Sequence, residues 1–111
     1  MGRTSSQVAT IVNVKGLHAR AAAKLSRLSA TFDAVVTVHH QETSADTRSI
    51  MDLLLLVASK GCEVEIQASG PAAAEAVTAI ASLIADGFGE NDHPTASSGI
   101  DQTDPVKPDQ N

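Results

Sequence analysis

A histidine and an arginine two positions apart, His18 and Arg20, stand in the stretch Gly16-Leu17-His18-Ala19-Arg20. The two side chains suit one chemistry. A neutral imidazole is a nucleophile, and with an unperturbed pKa of ~6.5 roughly three-quarters of such rings are uncharged at pH 7. A guanidinium is a permanent cation whose fork of donors matches phosphate oxygens. The elements on either side decide whether the pair can be used. Behind it, Val8-Ala9-Thr10-Ile11-Val12-Asn13-Val14 is rich in β-branched residues and closes on Lys15-Gly16, which predicts a strand and a turn. Ahead of it, the run Ala21 to Leu28 consists of strong helix formers, with apolar residues at Ala21, Leu25, Leu28 and then Phe32.

His18 is therefore expected in the first turn of a helix. Backbone N–H groups there lack partners and the helix dipole is positive, so the end favours phosphate. A phosphoryl group on the ring would gain about 0.3–2 kcal/mol from the helix end and about 1.5–3 kcal/mol from a bond to Arg20. That would let the group be accepted and still be passed on. A histidine at a helix start is also often a plain surface or capping residue, and the pattern alone leaves both roles open.

Composition narrows the field. The chain has 111 residues, 42% of them apolar, enough for one domain with a compact core. The apolar content is aliphatic, with two Phe and neither Tyr nor Trp, and the net charge is −5. Nucleic-acid binding calls for clustered Lys/Arg and often stacking aromatics, so this balance argues against it. A single cysteine, Cys62, excludes an internal disulfide and suits a reducing cytosol. The first residues do not resemble a signal peptide and no apolar run approaches ~18 residues, so a cytoplasmic protein without membrane segments is expected.

Along the chain, residues 1–6 are polar and are expected to be disordered. A second strand is predicted over Ala34 to His40, a turn at Gln41-Glu42, and a short third strand at Thr43 to Asp46. A second helix opens at Thr47 to Asp52, carries Leu53 to Val57, and breaks at Lys60-Gly61. The run Cys62 to Ala68 alternates, with Cys62, Val64, Ile66 and Ala68 on one face, as in a strand whose other face is wet. Pro71 starts a long third helix with Ala73, Val77, Ile80 and Ile84 on one stripe, ended by Gly87 and Gly89. Residues 91–111 form a polar tail expected to be disordered. The order βαββαβα predicts an α+β fold: an open-faced β-sandwich with a four-stranded, mainly antiparallel sheet and three helices on one face.

The string Gly-Leu-His-Ala-Arg between a strand and an Ala-rich helix closely resembles the active-site segment of HPr, the histidine-containing phosphocarrier of the bacterial phosphotransferase system. The resemblance covers residues 7–90 and implies the open-faced fold just derived. It implies that His18 carries a phosphoryl group and that Arg20 stabilises it. The commonest family form has Pro after the arginine; this chain has Ala21, which looks like the branch associated with nitrogen regulation. The implied partners are Enzyme I as donor and EIIA-type acceptors, in sugar transport or a regulatory relay, with a monomer expected. No cofactor is implied. His39, His40, His93 and Cys62 lack metal-ligand spacing, so no metal is expected either.

Ser49 matches a serine that an HPr kinase/phosphorylase modifies in many members of that family. Ser49-Ile50-Met51-Asp52 also fits a capping box, and a cap alone is sufficient to explain the serine. Members regulated this way typically carry Gly where this chain has Asp52, whose carboxylate would face an incoming phosphate. Beyond Ser49 the second helix is unusually apolar. Leu53 and Leu56 can face the core, leaving Ile50, Met51 and Leu54 either for a thicker core or for a docking patch beside His18, of which docking is the expectation. Two rivals to a carrier are a regulatory binding module on the same surface, controlled by Ser49 phosphorylation, and an unrelated small α/β ligand- or RNA-binding domain.

Overall fold

A computed structural model describes residues 3–90. In chain order the elements are β1 (Thr4–Thr10), α1 (Ala19–Ser29), β2 (Val35–His40), β3 (Thr43–Asp46), α2 (Ile50–Leu55), β4 (Glu63–Ser69) and α3 (Ala73–Ala85), followed by a 3-10 turn at Gly87–Gly89. The strands form one sheet in the order β1-β4-β2-β3, and every neighbouring pair is antiparallel. This is the α+β open-faced sandwich that the element order predicts.

The alternation in β4 explains why the sheet is covered on one side. Val64, Ile66 and Ala68 are buried while Glu63, Gln67 and Ser69 are exposed. Register carries the same face across the neighbours, with Ala9 opposite Val64 and Val36 and Val38 opposite Ala68 and Ile66. Against this face the helices bury Leu25, Leu53, Val77, Ile80 and Ile84, and the final turn buries Phe88. Each such aliphatic or aromatic side chain contributes about 1.5–3 kcal/mol when removed from water. A polar tie runs through the core as well: Ser29 Oγ and Thr47 Oγ1 lie 2.5 Å apart, and Thr47 Oγ1 donates to the Val36 carbonyl. It joins the end of α1 to the segment leading into α2, and both hydroxyls are satisfied.

Three boundaries differ from the sequence reading. β1 begins at Thr4, inside the stretch expected to be disordered, and ends at Thr10 rather than Val14. The cause is long-range pairing: Thr4 to Thr10 match Ser69 to Glu63 along all of β4, and a sheet with one wet face accepts Thr and Ser there. Val12 to Lys15 leave the ladder for a turn. α2 is only six residues long, because Val57 takes a left-handed conformation (φ +51°) just beyond its cap and reverses the chain before Lys60-Gly61. The 91–111 tail lies outside the described residues. Among the described residues, no helix is long and apolar enough to cross a membrane.

Candidate functional site

The site starts from a turn. Gly16 N–H donates to the Asn13 carbonyl (3.1 Å), and Asn13 Nδ2 donates back to the Gly16 carbonyl (2.9 Å). Gly16 has φ +67°, and a Cβ there would lie 2.7 Å from the Ala58 carbonyl oxygen and 2.9 Å from Ser59 Cα. Both conformation and space therefore demand glycine. The close approach exists because Leu17 N–H donates to the Ala58 carbonyl (2.9 Å), tying this loop to the one after α2. Gly16→Ala is expected to cost about 1–3 kcal/mol from backbone strain alone, read as a lower urea midpoint; an unchanged midpoint would show that the turn can relax.

After the turn the chain enters α1. His18 is the N-cap, in extended conformation (φ −87°, ψ −177°), and its carbonyl accepts the first helical bond from Ala22 N–H at 2.8 Å. It thus sits one step ahead of the first turn in which the sequence reading places it. Its side chain makes no capping bond, so the ring is free to serve another purpose. The N–H groups of Ala19, Arg20 and Ala21 precede the first helical bond and form the positive end of an 11-residue helix. Arg20 is exposed, and its side chain makes no ion pair or hydrogen bond to another described residue.

One acidic residue reaches the ring. His18 Nε2 pairs with Glu90 Oε2, and Glu90 Oε1 accepts from Asn13 Nδ2 at 3.0 Å. The two paired side chains are 26% and 16% exposed, and Asn13 is 1% exposed. Burial pushes the Glu90 carboxyl up, but the Asn13 and His18 hydrogen bonds, helped by the charge of His18 when its ring is protonated and by that of Lys15, outweigh it and hold the group below the ordinary carboxylate value. Glu90 is therefore a carboxylate at neutral pH and can only accept the hydrogen bond from Nε2–H. No hydrogen bond from a described residue engages His18 Nδ1. Asn13 Oδ1 is buried without a partner among the described residues.

Glu90 is delivered from the far end of the chain. After α3, Phe88 takes φ +59° between two left-handed glycines and is wholly buried. Its carbonyl accepts from Lys24 Nζ of α1 at 2.7 Å. Sequence reasoning assigns neither Glu90 nor Asn13 a role. The available signal is Gly87-Phe88-Gly89, a large apolar residue between glycines at the close of the domain, which marks an anchor as well as a helix end.

On α2, Ser49 is the N-cap, its Oγ accepting from Asp52 N–H at 3.2 Å. Ile50 and Met51 are exposed, but Leu54 is half-buried against the core, and Leu55 and Val57 take the outward positions instead. At 100° per residue, Leu55 points away from buried Leu53 while Leu54 stays at the boundary. Val12 and Val14, in the loop ahead of Gly16, are exposed too. His39 Nε2 pairs with Thr37 Oγ1 and His40 Nδ1 with the Leu56 carbonyl, both at 2.9 Å. No group of three or more His, Cys, Asp or Glu among the described residues is placed to hold a metal ion. His93 lies outside the described residues.

Comparison with known proteins gives the family. Residues 5–86 match the family model described as the PTS HPr component phosphorylation site. The phosphocarrier protein HPr of Cupriavidus necator is 41% identical over 83 residues, 75% of this chain and 93% of that protein. The phosphocarrier protein NPr of Escherichia coli is 40% identical over 89 residues, 79% of this chain and 99% of that protein. Among solved structures, HPr of Thermoanaerobacter tengcongensis superposes with a TM-score of 0.74 at 32% identity, covering 78% of this chain and 98% of that one. A histidine at the mouth of a helix, on this fold and with these relatives, places the chain in the HPr family of phosphocarrier proteins of the phosphotransferase system.

Proposed function

We propose that His18 accepts a phosphoryl group from the phosphohistidine of an Enzyme I and passes it to a histidine of an EIIA-type acceptor. The observation that carries this reading is the ring of His18 at the N-cap of α1, with Nδ1 engaged by no described residue and Arg20 two residues into the helix. The Nδ1 lone pair attacks phosphorus in line, the donor's P–N bond breaks, and its electron pair returns to the donor ring. The phosphoryl oxygens then meet the N–H groups of the helix start and the Arg20 guanidinium. The second transfer is the same step with this ring as the leaving group.

Incubation with phosphoenolpyruvate and Enzyme I should add one phosphate to the intact mass, and acid should remove it. Mapping it to His18 supports the proposal; no gain with a cognate Enzyme I overturns it. Arg20→Ala removes about 1.5–3 kcal/mol of charge-assisted bonding, so phosphoryl uptake should slow roughly 10- to 150-fold. Uptake as fast as wild type in a rapid-quench experiment would discard that role.

The exposed apolar residues Ile50, Met51, Leu55 and Val57, with Leu54 beneath them, supply a docking surface for both partners. A carrier that shows one face to successive partners functions as a monomer. The regulatory-module reading gains less from the geometry, because the Ser49 hydroxyl is occupied in capping α2. A phosphate on Ser49 would stand beside Asp52 and add about −1.5 to −2 charges to the docking side, so kinase modification there would weaken partner binding.

A further inference from the structure

We infer that Glu90, oriented by buried Asn13, is a positioning residue that holds His18 in the Nε2–H tautomer and so keeps the lone pair on Nδ1. The inference rests on the carrier reading and assigns a role to a residue beyond the stretch 5–86 matched by the family model. A neutral imidazole has one nitrogen that donates and one that accepts, and the partner of one nitrogen selects the tautomer. Here the partner of Nε2 is a carboxylate, which only accepts. The proton therefore resides on Nε2, and Nδ1 is left as the nucleophile. When Nδ1 bonds to phosphorus the ring becomes cationic while keeping its Nε2 proton, and the facing carboxylate stabilises that charge.

Asn13 makes the arrangement directional. Its Nδ2 group donates to the Gly16 carbonyl and to Glu90 Oε1, so the amide orientation is set by two acceptors. Being 1% exposed, Asn13 has no water to turn to. A glutamine at position 90 would have to aim its carbonyl oxygen at Asn13 Nδ2, because two NH2 groups cannot face each other there. Its own NH2 would then point at His18 Nε2, which must become the acceptor, moving the ring proton to Nδ1.

This predicts an unusual ranking. Glu90→Gln, which keeps the shape of the side chain, should slow phosphoryl uptake at least about tenfold and more than Glu90→Ala, which leaves the ring free to choose its tautomer. Ring 15N NMR of the neutral imidazole should show Nε2 protonated in wild-type protein and Nδ1 protonated in the glutamine variant. Glu90→Ala as the slower variant with the same tautomer in all three proteins would overturn the assignment, since that is the order a purely structural role produces. Uptake in Glu90→Gln at the wild-type rate would overturn it as well. Should wild-type protein take up no phosphate at all, the carrier reading falls, and the ring tautomers still decide the assignment to Glu90.

Discussion

His18→Ala is expected to abolish phosphoryl uptake while the domain stays folded. The side chain is partly exposed, contributes no capping bond, and has Glu90 as its one side-chain partner among the described residues. Its backbone roles, donating to Gly16 and accepting from Ala22, pass unchanged to alanine. The loss is one hydrogen bond to a charged group, at most about 1.5–3 kcal/mol, and the carboxylate left behind keeps Asn13 and access to water. Against a typical total of about 5–15 kcal/mol the fold should survive. With neither Tyr nor Trp in the chain, far-UV circular dichroism is the suitable monitor of folding. Intact mass after incubation with phosphoenolpyruvate and Enzyme I should show no acid-labile phosphate. Retained uptake by a folded His18→Ala protein would remove His18 from the mechanism.

Phe88→Ala should give the largest loss of stability. Phe88 is wholly buried, is the bulkiest side chain among the core residues, and holds a left-handed backbone that nothing local favours. Truncation of such a residue costs about 3–5 kcal/mol, a large part of a typical domain's total. Urea unfolding should show a midpoint lowered by that amount divided by the slope. The effect should reach the site, since Phe88 lies two residues before Glu90 and its carbonyl binds Lys24. Releasing this turn frees Glu90 from His18, so slower phosphoryl uptake should accompany the lower midpoint. A loss below about 1 kcal/mol would mean that α3 alone holds the chain end in place.

What the amino-acid sequence determined by itself is local. The alternation in Cys62 to Ala68, the β-branched run at Ala34 to His40 and the aliphatic stripe of α3 specify their elements through neighbours two to four residues apart. The same short range covers the Ser49 cap, bonded three residues on, and the place of His18 and Arg20 at the start of a helix. Tertiary structure decided the rest. β1 starts at Thr4 because β4 offers a full-length partner, although Thr4 to Ser6 alone have no reason to be ordered. α2 stops at Leu55 because Ala58 must meet Leu17, and that early stop turns Leu55 and Val57 outward while Leu54 stays against the core. Glu90 meets His18 across 72 residues and Asn13 across 77. No periodicity encodes such a contact: a carboxylate at the end of a domain is an ordinary surface group until a buried phenylalanine and a left-handed turn set it against the imidazole.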